Sequence, residues 1–265
     1  MQNRQLRGKV VLITGASTGI GASIAIEIGK YGAVPILIAR NREKLKHVQL
    51  EFFHRYGVKP PFYSVDVGNR LEVEKAFEKI QAENKNIDIL INNAGFGVFE
   101  AFADTDLGEI EEMFAVNVFG LMHFTKLILP QMLERNSGHI INIASQAGKI
   151  ATPKSSGYSA SKWAVIGFSN SLRMELKKSN IHVSTVNPGP IKTEFFTIAD
   201  RSGDYVRNVR KFMLDPDVVA KKIVKLIFHP KRELNMPGWM NISSKLYLLF
   251  PAFIEKVAGR LFDKK

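Results

Sequence analysis

Cysteine is absent from the 265-residue chain. That excludes disulfides, thiolate metal sites and a cysteine nucleophile, and it is compatible with a reducing compartment. The histidines (His47, His54, His123, His139, His182, His229) show no His-x-x-x-His pairing. No metal site is expected from them, and each reads as a surface or packing residue. Long apolar runs are missing too. Near the C-terminus the longest, Leu246 to Ile254, is broken by Pro251, whereas a membrane-spanning helix needs about 20 apolar residues. The first residues, MQNRQLRGK, contain no secretory apolar region, so a soluble, cytoplasmic protein is expected. Repeats, low-complexity stretches and linkers are absent, and no basic block stands out as a nucleic-acid arm; nucleic acid is not an expected partner. Negative charge is in short supply, with 25 acidic against 37 basic residues and a net charge of +12. Such a balance suits a polyanion, an anionic membrane surface or a phosphorylated cofactor.

What is present is globular. Hydrophobic residues make up 45% and charged residues 23%, which excludes a disordered or collagenous chain. Short β-branched runs alternate with helical patterns: Lys9–Thr14, Val34–Ala39, Phe62–Val65, Ile87–Asn92, Gly138–Ala144 and Ile181–Val186 read as strands. Between them lie helical segments over Ile20–Tyr31, Asn41–Arg55, Leu71–Glu83, Leu107–Arg135 (with a kink expected at Pro130) and Tyr158–Lys178. Continuous apolar strands separated by helices imply a single α/β domain, a Rossmann-type doubly wound parallel sheet with helices on both faces. After Pro190 the periodicity weakens, so residues 190–214 read as an irregular insertion and a candidate substrate lid. Asp215-Pro216 then reads as an N-cap with proline at the first helical position.

The segment Thr14-Gly15-Ala16-Ser17-Thr18-Gly19-Ile20-Gly21 lies between the first strand and the first helix. Glycines there permit a tight turn and close approach of backbone N–H groups to a pyrophosphate, with the helix N-terminus behind them. The spacing Gly-x-x-x-Gly-x-Gly differs from the Gly-x-Gly-x-x-Gly fingerprint, and a turn without a ligand is the alternative. This turn resembles that of the short-chain dehydrogenase/reductase family. So do Asn92-Asn93-Ala94-Gly95, Tyr158-Ser159-Ala160-Ser161-Lys162 and Pro188-Gly189, in that family's order and spacing. The resemblance covers roughly residues 7–235.

Tyr158 and Lys162 are four apart, hence on one face of a helix. A lysine ammonium ~4 Å from the phenol at an effective dielectric of ~20 is worth roughly 4 kcal/mol, enough to bring a pKa of about 10 toward 7. An exposed helical Tyr/Lys pair is the plainer reading. The resemblance implies that Tyr158 is the acid/base, that Ser145 hydrogen-bonds the substrate oxygen, and that Lys162 also holds the nicotinamide ribose. Asn117 would hold a water for a proton relay; a buried asparagine bonded to backbone is compatible with that role. Serine hydrolysis is disfavoured because Ser145, in Ile143-Ala144-Ser145-Gln146-Ala147, has no Gly-x-Ser-x-Gly elbow.

The resemblance also implies cofactor contacts from Gly15, Ser17, Thr18, Gly19, Ile20, Gly21, Asp66, Val67, Asn93, Ala94, Gly95, Pro188, Gly189 and Thr193, together with Tyr158 and Lys162. For Asp66 a turn or N-cap acid is the alternative. The second strand ends Ala39-Arg40-Asn41-Arg42, without the acid that would take NAD's ribose hydroxyls. Arg40 can pair with a 2′-phosphate, so NADP is expected over NAD; a solvated surface arginine is the other reading. The implied function is hydride transfer between NADP(H) and a carbonyl or hydroxyl group of a small hydrophobic substrate. A catalytically silent NADP-binding sensor or interaction protein is the alternative. A homodimer or homotetramer is expected through the helices near 107–135 and 157–178. In the tail, residues 243–265, apolar positions at helical spacing alternate with lysines and arginines. Such an amphipathic element can dock on protein or make weak contact with a membrane surface.

Overall fold

The computed structural model describes residues 6–83 and 86–262. Its strands are β1 (Val10–Thr14), β2 (Val34–Ala39), β3 (Phe62–Ser64), β4 (Ile89–Asn92), β5 (Gly138–Ile143), β6 (Ile181–Pro188) and β7 (Glu233–Met236). They form one parallel sheet in the order β3-β2-β1-β4-β5-β6-β7. The chain is therefore a single α/β domain of Rossmann type. The helices are α1 (Gly19–Gly29), α2 (Arg42–Tyr56), α3 (Arg70–Ala82), α4 (Leu107–Phe114), α5 (Leu121–Glu134), α6 (Ser156–Glu175), α7 (Phe195–Ala199), α8 (Asp204–Val209), α9 (Pro216–Phe228), α10 (Gly238–Leu249) and α11 (Pro251–Phe262).

Strand alternation sorts the core into two layers. On one face Val11, Ile13, Leu37 and Ile91 pack against Ile24 and Ile28 of α1, Leu45 of α2, and Ile223 of α9. On the other, Leu12, Ile38, Leu90 and Ile140 meet Phe77 of α3, Phe124 and Ile128 of α5, and Leu172 of α6. Strands covered on both sides are largely apolar, which is why β1, β2 and β4 were readable as strands. Helix starts follow local chemistry. Asn41, Asn69 and Asp215 accept hydrogen bonds from first-turn N–H groups of α2, α3 and α9.

The long helical region departs from expectation in where it changes. Pro130 is accommodated inside α5, and the regular ladder instead gives way at residues 115–120, which wind as a π-helix. Tertiary contacts hold this wider turn. A Cβ at Gly120 would lie 2.7 Å from the Val67 carbonyl oxygen, and the Asn117 side chain is tied to Phe96 and Ser161. Leu107–Glu134 as a whole is long and apolar enough to cross a membrane by length and composition. Its residues Phe124, Ile128 and Met132 are nonetheless buried against the sheet, so it is a core helix.

Beyond β6, a bridge between Ile191 and Leu214 closes the base of the insertion that carries α7 and α8. β7 is a seventh strand that the sequence did not announce: Glu-Leu-Asn-Met lies at a sheet edge, mostly half-buried, next to Pro237. The helical tail starts at Gly238, five residues before the expected Ser243, and breaks at Phe250 ahead of Pro251. Residues 263–265 of the expected tail lie outside the described residues.

Candidate active site

Strand order reverses between β1 and β4, and the carboxyl ends of β1, β4, β5 and β6 open onto one cleft of about 1350 Å³. The glycine turn after β1 forms its floor, with Gly15, Ser17, Thr18, Gly19 and Ile20 on the wall. Gly15 and Gly19 take positive φ angles of 65° and 55°, and a Cβ on Gly21 would collide with the Gly15 carbonyl oxygen. Thr18 makes no side-chain cap to α1, whose first turn carries no acid. Among the described residues no side chain caps those N–H groups, and the positive end of α1 faces the cleft. Asn93 braces the turn: its Nδ2 donates to Thr14 O (3.0 Å) and Gly15 O (3.1 Å). The N–H groups of Asn93 and Ala94 both donate to Thr14 Oγ1. Ala94 and Gly95 line the same wall.

Tyr158 and Lys162 share one face of α6 and are both buried. Ser145, two residues beyond β5, stands beside Tyr158 and draws its pKa down, while its Oγ accepts from Ala147 N (3.1 Å). Lys162 Nζ donates to Ile143 O (3.0 Å) and lies 5.8 Å from the Tyr158 ring centre. Asn117 accepts from Phe96 N (3.0 Å) and donates to Phe96 O (2.9 Å) and Ser161 Oγ (3.0 Å). A Cβ on Gly95 would stand 2.9 Å from Asn117 Oδ1 and 3.2 Å from Lys162 Nζ, so these two side chains converge beside Gly95.

The expected lowering of the tyrosine pKa is not what this arrangement gives. Burial pushes the Tyr158 phenol up to about 12, opposed only in part by the Ser145 side chain. Burial likewise pushes Lys162 down to about 8. The reason is geometric: the lysine is held on the Ile143 carbonyl rather than against the phenol oxygen. His139, also buried and near His182, is driven down to about 3 and is neutral. Its Nε2 meets Ser184 Oγ at 2.9 Å, a packing role. Among the described residues no group of three His, Asp or Glu side chains could hold a metal ion.

At the far end of the cleft stand Arg40 and Lys44. Arg40 is exposed and reaches Glu112 at 3.4 Å; Lys44 pairs with Glu194 at 2.6 Å. Lys44 had not been singled out from sequence. It falls one helical turn after the N-cap Asn41, and that spacing was the available signal. Asp66 accepts from Gly68 N at 2.9 Å, the turn-acid geometry, and also borders the cleft with Val67. Pro188 and Gly189 leave β6 along the cleft wall, where Gly189 N donates to Met236 O (2.7 Å). Thr193 sits against Gly19 and meets the glycine turn from the insertion.

The remaining wall is apolar and aromatic. Phe99 packs against Tyr158 (5.7 Å between ring centres) and Tyr205 (5.0 Å), and Phe195 packs against Tyr158 at 5.6 Å. The insertion 190–214 thus lies over the tyrosine, and α10 adds Met240, Ser243 and Tyr247. Gln146, beside Ser145, also lines the cleft and donates to Asn187 O (2.7 Å), tying the β5 turn to β6. Phe99, Gln146 and Tyr247 escaped the sequence reading because only the fold brings them here.

A family model described as short chain dehydrogenase matches residues 9–202. The chain belongs to the short-chain dehydrogenase family. Among curated relatives, the dehydrogenase/reductase SDR family protein 7-like of Drosophila melanogaster is 36% identical over 238 residues, covering 87% of this chain and 73% of its own. Among solved structures, the closed form of a serine dehydrogenase complexed with NADP+ is 32% identical with a TM-score of 0.78, covering 86% of this chain and 94% of its own. A Burkholderia phymatum short chain dehydrogenase/reductase in complex with NAD shares the fold, with a TM-score of 0.85 at 23% identity over 94% of this chain and 96% of its own.

A dinucleotide fits the residues of this short-chain dehydrogenase. The glycine turn leaves no room for side chains, Thr18 makes no side-chain cap at the N-terminus of α1, and the cationic Arg40 and Lys44 also line the cleft. The family supports an oxidoreductase that binds NAD(P).

Proposed function

We propose that the protein transfers a hydride between NADP(H) and a carbonyl or hydroxyl carbon of an apolar compound. The observation that carries this is the convergence of Ser145, Tyr158, Lys162 and Asn117 beside an apolar wall at the strand-order reversal. When bound, the cofactor supplies or takes up the hydride. Ser145 holds the substrate oxygen, and Tyr158 gives that oxygen its proton in reduction or takes one from it in oxidation. The neutral, protonated phenol is the form reduction needs. Lys162 keeps a positive charge behind the tyrosine and can hold ribose hydroxyls. Asn117 fixes the backbone around Phe96 and positions a relay toward Lys162. Arg40 and Lys44 favour a 2′-phosphate by charge-assisted hydrogen bonding, which supports NADP over NAD.

The reading also includes a homodimer or homotetramer through α4–α5 and α6. On these helices and the π-turn between α4 and α5, Phe124 and Val165 are buried within the protomer, while Phe119 and Trp163 remain exposed. The test of the reaction class is isotopic. With NADPH deuterated at the nicotinamide C4, an apolar ketone should yield an alcohol carrying deuterium on the former carbonyl carbon. An alcohol free of deuterium from either C4 position would overturn hydride transfer.

A further inference from the structure

The mouth of the cleft is rimmed by residues that are at once cavity wall and exposed surface: Ile198 and Phe212 of the insertion, Trp239 and Leu246 of α10. From Leu246 the apolar surface continues outward through Leu248, Leu249, Phe250, Phe253 and Val257, all exposed. Leu249 is 69% and Phe253 65% accessible. Of the apolar positions in the tail, Leu246 and Ile254 line the cleft, whereas Leu249, Phe250, Phe253 and Val257 are exposed. Ser244 and Tyr247 of α10 are buried, and much of the apolar stripe beyond Tyr247 stays outside. The charged residues bordering the cleft are Arg40, Lys44, Asp66, Lys162 and Glu194. They belong to the cofactor end, to the pairing between Lys44 and Glu194, and to the catalytic lysine; the mouth itself is uncharged. Around it, Arg210 and Lys211 precede Phe212, and Lys245 and Lys256 punctuate the two tail helices, all exposed, the acid beside them, Glu255, being held by the Tyr247 hydroxyl.

We propose that α10 and α11 seat the enzyme on an anionic lipid bilayer, so that the cleft takes a neutral, lipid-soluble carbonyl compound directly from the membrane. The substrate half of this rests on the reaction proposed above. Each helix has 12 residues, about 18 Å at ~1.5 Å per residue, too short for a hydrocarbon core of ~30 Å. The pair therefore lies in the interface with its apolar side down and its lysines among anionic headgroups. A second copy is a poorer occupant. Two-fold pairing of this patch would set Arg210, Lys211, Lys245 and Lys256 against a surface of the same sign, and it would cap the mouth. An apolar sheet that accepts the rim leaves the mouth open to an apolar substrate.

The test is flotation of the full chain with vesicles of phosphatidylcholine containing phosphatidylserine and with phosphatidylcholine alone. The anionic vesicles should carry the protein, and binding should weaken at least about fivefold as salt rises toward ~1 M, where the Debye length is ~3 Å. The double variant Leu249→Glu/Phe253→Glu changes exposed residues outside the cleft and should retain its Tm. It should bind about tenfold more weakly, since burying a carboxylate among acyl chains is costly. With a long-chain ketone dissolved in the same vesicles, its kcat/KM should fall in parallel, while a short water-soluble ketone is turned over as before. Phe250→Glu serves if the double variant does not fold. Absence of flotation, equal flotation of the variant, or a dimer that the substitutions convert to monomer without vesicle binding would each overturn the seat. Flotation needs no turnover, so a protein that binds vesicles yet reduces no carbonyl supports the seat and overturns the reaction.

Discussion

Two residues show how far a side chain's chemistry depends on where its neighbours lie. The spacing of Tyr158 and Lys162 was enough to put them on one helix face, and the structure keeps them there. Their charge state was not legible, because it is set by burial, which only the fold creates, while Lys162 Nζ donates to the Ile143 carbonyl. Lys162 titrates at about 8 when folded against an ordinary 10.5. Between those values the folded chain binds fewer protons than the unfolded one, so this group makes stability rise with pH across that window. Below about 8 the buried ammonium is a cost. Lys162→Met should therefore raise Tm at neutral pH by a few degrees while removing turnover; a fall in Tm on thermal melting would contradict this. At the other end of the cleft, Arg40→Asp with Lys44→Glu should lower the preference for NADPH over NADH by about tenfold or more, as a 2′-phosphate then meets repulsion. Titration of both cofactors into both proteins checks it.

At the scale of elements, β1, β2 and β4 were readable because they are apolar on nearly every position, and β5 and β6 by their β-branched residues, whereas β7 is a half-polar edge that periodicity does not separate from a loop. The π-turn at 115–120 was equally hidden, since contacts to Val67 and Phe96, remote in sequence, hold it. The glycine turn was legible as a turn, and Gly21 shows why its composition is strict: no Cβ fits against the Gly15 carbonyl. Gly21→Ala should weaken cofactor binding by about tenfold or more, as overpacking of a tight contact typically costs ~1–3 kcal/mol; calorimetric titration would reveal it. Deleting the chain after Pro237 uncovers the wall that Met240 and Tyr247 close. That should lower Tm, since each buried apolar side chain contributes roughly 1.5–3 kcal/mol. NADPH affinity should hold within about twofold because Arg40 and the glycine turn are untouched. A truncated protein with unaltered melting would show that the tail helices contribute nothing to the fold.

Over the whole molecule, the sheet's order reversal gathers a phosphate-ready helix end, a proton-carrying tyrosine and an apolar mouth into one cleft. The sequence carried the first two as motifs. The third depends on α7 packing on Phe99 and on α10 lining the same cleft, which no local pattern encodes. Neutral, elongated apolar ketones should accordingly be turned over in preference to ketones of similar size bearing a carboxylate, which the uncharged mouth does not match. The most direct measurement is NADPH consumption in the presence of such a ketone by the unaltered protein and by Tyr158→Phe. The account predicts turnover by the former and a loss of about 10²–10⁴-fold in kcat by the latter, with NADPH affinity unchanged. Turnover by Tyr158→Phe at the original rate, or no consumption of NADPH by the unaltered protein across a panel of apolar carbonyls, would contradict it.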